Sequence, residues 1–176
     1  MDIYKAGNNT DRADCLIVHS FGTSTDIESV NHKLAAFALH MADGRPIMAD
    51  RAIIDSLSKS SDTTAMIAAG EVATHINIEG KLSGPKIKGD GTWGTLNAAK
   101  QYMDAHQLTK PIMVAQAWHA TRVAKQATKL GMDSILPKGL PRTFDKHSDQ
   151  FWTRSIYFWI PVNLLGSILL KRRGQL

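Results

Sequence analysis

Apolar runs of three or four residues recur along this chain, and most are followed by a segment whose apolar positions fall at helical spacing. The first, Cys15–Val18 in "DCLIVHS", predicts a strand. Behind the polar "HSFGTSTD", residues Ile27, Val30, Leu34, Phe37 and Met41 mark one face of a helix over 27–41, and Gly44 supplies its stop. "RPIMAD" predicts a second short strand and "RAIIDSLSK" a short helix behind it. Between 58 and 91 the pattern weakens. A small-residue stretch, "TTAMIAAGEVA", is followed by the alternating "THINIEG", which fits a strand or an edge, and by "KLSGPKIKGDG", a loop by its Gly, Pro and Lys content. A helix over 93–106 turns Leu96, Ala99, Tyr102 and Met103 inward. The run 112–115 predicts a further strand, followed by a helix to Leu130 with Gly131 as its stop and by a short strand in "DSILP". Strands alternating with helices predict an α/β domain with a mainly parallel sheet and helices on both faces.

In such a sheet, ligands bind beyond the carboxyl ends of the strands, where the strand order reverses. That rule selects two loops. The first holds His19, Ser20, Phe21, Gly22, Thr23, Ser24 and Thr25, one glycine among four hydroxyl side chains. Backbone N–H groups at a helix start together with hydroxyl donors favour a phosphate, sulfate or carboxylate. The loop is neither a phosphate-binding P-loop nor a glycine-rich dinucleotide fingerprint, and the plainer alternative is a helix capped by Ser24 or Thr25. The second loop opens the helix of "AWHATRVAKQ". His119 and Arg122, three residues apart, share a helix face. The helix dipole disfavours an imidazolium at that end, so His119 is expected neutral and able to take or give a proton. Arg122 can fork onto a carboxylate or phosphate, and Trp118 can stack on a planar group. The alternative is a His and an Arg bonded to local backbone or paired with a distant acid. Asp90, Thr92 and Asn97 are weaker candidates, since the first two can simply cap a helix and the third can be a surface residue.

Composition narrows the classes. The 176 residues are enough for one domain, taken here as 1–176 with 148–173 as a carboxy-terminal helix packed on it. The net charge of +5 is scattered, apart from "KRR" at 171–173, and no basic stripe interleaves with aromatics, which argues against nucleic acid. One cysteine, Cys15, excludes an internal disulfide and reads as a buried thiol. The polar start "MDIYKAGNNTDRAD" lacks the apolar core of a signal peptide, so the expected location is cytoplasmic. No histidine pair has metal-ligand spacing and no GxSxG elbow occurs, so neither a metal site nor a serine hydrolase is expected. The stretch 156–170, "IYFWIPVNLLGSILL", is shorter than a spanning helix needs and contains Pro161 and Asn163. A helix docked on the core is the favoured reading, and peripheral membrane contact through its apolar face and basic end is the second.

The segments "ADCLIVHSFGTST", "GTWGTLNAAKQYM", "PIMVAQAWHATRVAKQATKLGM" and "ILPKGLP" together resemble the YdcF, SanA and ElyC family of bacterial domains, over about 14–141, with "WHATR" the most specific piece. The resemblance is to the YdcF type, which lacks the membrane segment of the envelope-associated branches. It implies a Rossmann-like three-layer fold with a pocket at the strand ends, and S-adenosylmethionine as a ligand. If Asn97 stands at the family's Asn, then Leu96 stands where the family has Glu and Gly94 where it has Thr, which removes a carboxylate from the pocket. The functional expectation is a small-molecule site, for a transferase or hydrolase, that uses His119 and Arg122 on an anionic or nucleotide-like ligand. The alternative is a non-catalytic envelope-associated factor that touches a membrane or partner through the apolar and basic end.

Overall fold

The computed structural model describes residues 10–59, 91–176 and the backbone of 75–77. Four parallel strands form its sheet: β1 (Cys15–Val18), β2 (Ile47–Ala49), β3 (His75–Asn77) and β4 (Pro111–Val114), in the order β3-β2-β1-β4. The helices are α1 (Val30–Ala42), α2 (Arg51–Lys59), α3 (Gly91–Ala105), α4 (Ala117–Lys129) and α5 (Ile156–Arg172). This is an α/β architecture. Short 3-10 turns lie at Thr10–Arg12 and Phe151–Thr153.

β1 and β4 are apolar at every position because both of their faces are covered, as in a buried parallel sheet. Alternate residues feed two separate cores. Leu16, Val18, Ile112 and Val114 meet Leu34, Ala38, Ile53 and Leu57 from α1 and α2. Cys15, Ile17 and Met113 meet Leu96, Met103, Val123 and Ala127 from α3 and α4. At the amino ends, the Asp14 carboxylate accepts hydrogen bonds from Thr109 N (2.6 Å) and Lys110 N (3.0 Å), which fixes β4 beside β1.

Three boundaries differ from the sequence expectation. α1 begins at Val30 rather than Ile27, because Ser29 is the residue whose side chain accepts from His32 N (3.2 Å); neither Ser24 nor Thr25 caps the helix, and Ile27 is exposed. "DSILP" contributes only a single bridge, Ile135 beside Ile112, since Pro137 has no N–H to extend the ladder. The segment expected as one helix over 148–173 is a 3-10 turn followed by α5, which starts after Ser155. "TTAMIAAGEVA" and "KLSGPKIKGD" fall outside the described residues.

The strand order has its reversal between β1 and β4. From β1 the chain runs outward through β2 and β3, then returns to place β4 on the other side of β1. The carboxyl ends of β1 and β4 therefore open side by side, at His19 and at Gln116.

Candidate functional site

At that reversal lies a cleft of about 480 Å³, within the range of small-molecule sites. Its walls come from the loop after β1, the start of α2, the first turns of α3 and α4, the 3-10 turn near Trp152, and the inner face of α5. Gln116 begins the α4 wall. Its side chain accepts from Trp118 N (2.8 Å) as the helix N-cap, and its amide group donates to the carbonyls of Arg142 and Thr143 (3.3 Å each). His119 then follows in the first turn, 4% exposed, with Arg122 one turn on along the same face.

The ring nitrogen Nε2 of His119 is 3.2 Å from the Thr92 hydroxyl at the start of α3. Burial, the Arg122 charge and His19 all hold the His119 pKa well below its ordinary 6.5. His19, at the end of β1 and 2% exposed, is lowered by burial to about 4. Both imidazoles are neutral at pH 7. Arg122 donates from Nη1 to Asn163 Oδ1 on α5 (2.8 Å), and its guanidinium lies 5.2 Å from the Trp159 ring centre. Gly166 lies beside the same group, where an added Cβ would stand 3.4 Å from Nη1, an ordinary contact distance. Burial lowers the Arg122 pKa to about 10, and among the described residues no carboxylate pairs with it.

Trp159 is the hub of the cleft's apolar wall. Its ring meets Phe21 edge-on at 4.7 Å and His119 at 5.5 Å. Six buried side-chain atoms lack a hydrogen-bond partner among the described residues, and four of them belong to residues lining this cleft: His19 Nε2, His119 Nδ1, Arg122 Nε and Trp159 Nε1. Buried polar atoms ordinarily find partners, so their concentration here marks the cleft chemically. Two of the four are obligate donors.

The structure brings together His19, Ser20, Phe21, Gly22, Thr23, Thr92, His119 and Arg122 as lining residues. Of the other four candidates, three sit away from the cleft. Trp118, half exposed at 50%, does not line the cleft, because neighbouring helix positions point about a quarter-turn or more apart. Ser24 lies in an adjacent depression, bonded to Asp26 Oδ2. Asn97 turns its amide back to the Trp93 carbonyl (3.1 Å). Asp90 is outside the described residues. Leu96 is fully buried in the core. Cys15 is buried too, and burial pushes its thiol pKa up, away from nucleophile chemistry.

Sequence reasoning missed Asp50 and Trp159. Asp50 follows β2 directly, accepts from Ser20 N (2.8 Å) and Ile53 N (3.3 Å), and so ties the β1 loop to the start of α2. An acid between a strand and a helix is a capping signal, and the strand-end rule would have put it on the same rim. Trp159 carried no such local sign. Among the described residues there is no group of three or more His, Cys, Asp or Glu placed to hold a metal, and no helix long and apolar enough to cross a membrane.

Comparison with family models, with curated proteins and with solved structures finds no match in any of the three.

Proposed function

We propose that the cleft binds a small anionic or nucleotide-like ligand at the carboxyl ends of β1 and β4, as a Rossmann-like domain does at its strand-order reversal. The observation that carries this reading is the set of unpartnered buried atoms. Arg122 Nε and Trp159 Nε1 can only donate, so the complementary group is an acceptor such as a carboxylate, a phosphate or a ring nitrogen. A largely buried guanidinium with no carboxylate beside it is costly alone and is relieved by an anion. In this reading Arg122 holds the anion, Phe21 and Trp159 face the ligand's planar part, and His119 moves a proton. A bound anion also raises the His119 pKa towards neutrality, the range where an acid and base is useful at pH 7.

S-adenosylmethionine is the first ligand to test, on the resemblance of "WHATR" and its neighbours to the YdcF type. The residues fit its carboxylate, at Arg122, and its adenine, at the aromatic wall. Its sulfonium can face the carboxylates of Asp50 and Asp55, which line the same cleft. The reading is of binding, with transfer or hydrolysis resting on His119. A cytoplasmic location belongs to the same proposal, in keeping with the single cysteine.

The test is a thermal-shift and titration series with S-adenosylmethionine, its demethylated product, nucleotides, sugar phosphates and simple anions. A ligand at about 100 times its Kd adds ~2.7 kcal/mol to stability. Arg122→Ala is expected to weaken binding at least about 100-fold, as for a lost charged hydrogen-bond partner. His119→Gln is expected to spare binding and lower turnover. Binding left unchanged in Arg122→Ala would sink the assignment.

A further inference from the structure

α5 touches the cleft on one side only. Trp159 is buried, and Asn163 and Gly166 stand against Arg122, so positions 159, 163 and 166 define its inner face. The outer face carries Phe158, Ile160, Leu164, Leu165, Ile168 and Leu169, which are 45% to 62% exposed. From Ile156 to Leu170 the helix has no charged residue. A surface helix of a water-soluble domain ordinarily turns a charged face outward, whereas the outward face of this one is apolar. A contiguous apolar surface of this kind marks an interaction site.

Charge decides between the occupants. The stretch 150–176 contains four basic residues, Arg154, Lys171, Arg172 and Arg173, and no acidic one. Two copies of α5 side by side in parallel would set the two Lys171-to-Arg173 clusters against each other. Placed antiparallel, each cluster would face Arg154 of the other copy. Both arrangements set like charges together at the ends of the seam, with no acid between 150 and 176 to offset them. A surface that is apolar below and negatively charged above matches both features.

We propose that α5 docks in the plane of an anionic lipid bilayer, with its outer face in the boundary between headgroups and acyl chains and Lys171, Arg172 and Arg173 on the anionic headgroups. The helix spans nothing. At 17 residues, tied to the domain through Trp159 and Asn163, it lies along the surface. The inner face of the same helix walls the cleft, so docking holds the cleft about one helix diameter, ~10 Å, from the bilayer.

Co-sedimentation of the full chain with phosphatidylcholine vesicles, with and without phosphatidylglycerol, tests this. The expected result is sedimentation with the phosphatidylglycerol vesicles only, weakened by high salt. The combined variant Lys171→Gln, Arg172→Gln, Arg173→Gln is expected to lower the partition about 100-fold, at roughly fivefold per charge. These three side chains are exposed, so the variant should keep the wild-type melting temperature. Leu165→Ser with Ile168→Ser, in the same assay, should lose binding without loss of fold. Equal binding to neutral vesicles, or no binding to either kind, overturns the proposal. So does a lipid-free dimer that the Leu165→Ser, Ile168→Ser variant disperses, which assigns the face to a second copy.

Discussion

The cleft and the outer face of α5 break the ordinary rule of protein interiors in opposite ways. At the cleft, donor atoms of Arg122 and Trp159 are buried with no partner among the described residues. On the far side of the same helix, leucines and isoleucines stand about half exposed to water. The difference teaches what kind of counterpart each region suits. Point-like orphan donors in a bounded cleft suit a small molecule with acceptors at set positions, whereas an unbroken apolar strip suits an extended surface.

The largest expected effect tests whether the two regions share one support. Trp159→Ala removes the indole that joins α5 to Phe21 and His119, and should cost about 3–5 kcal/mol in denaturant unfolding. An unchanged unfolding curve would mean that α5 is not held by the cleft. Next comes pH. His19 has a folded pKa near 4 and an unfolded one near 6.5, so the unfolded chain binds more protons between these values. Stability should be full above about 6.5 and fall as pH drops towards 4, by up to about 3 kcal/mol for this group, and His19→Gln should remove that share of the fall while the His119 share remains. Arg122→Met separates a ligand-holding cation from a structural one. Removing a buried charge that has no counter-charge should leave stability within about 1 kcal/mol of wild type or raise it, while a guanidinium needed for the fold would cost several times that. The smallest effect belongs to the outer face, where Leu165→Ser should shift stability by no more than ~0.5 kcal/mol, measured in the same way.

Much of the scaffold was legible because its signals are local. The all-apolar β1 and β4, the Gly131 stop, and the placing of His119 and Arg122 on the first turns of α4 each depend on a handful of neighbouring residues. The loop from His19 to Thr23 followed from the strand-end rule for the same reason. What the sequence hid is what depends on tertiary approach. Trp118 was the aromatic in view, yet the ring against His119 is Trp159, forty residues on, because helix spacing tells which face a residue occupies and not which distant helix will cover it. The docked-helix expectation for 148–173 made no distinction between the two faces of α5, since an uncharged apolar run reads as burial on every side. The start of α1 was misplaced because Ser24, Thr25 and Ser29 are all chemically fit to cap, and only the folded loop selects Ser29.

That selection is made by Asn31. Buried on the first turn of α1, its side chain accepts from Phe21 N (2.8 Å) and donates to the carbonyls of Gly22 (3.2 Å) and Ser24 (2.7 Å), so one amide group closes three backbone positions of the loop after β1. The conformational entropy of that loop is spent during folding rather than at the moment of capture. A ligand arriving at His19 and Gly22 meets a floor already set, and its affinity is not taxed by ordering the loop that receives it.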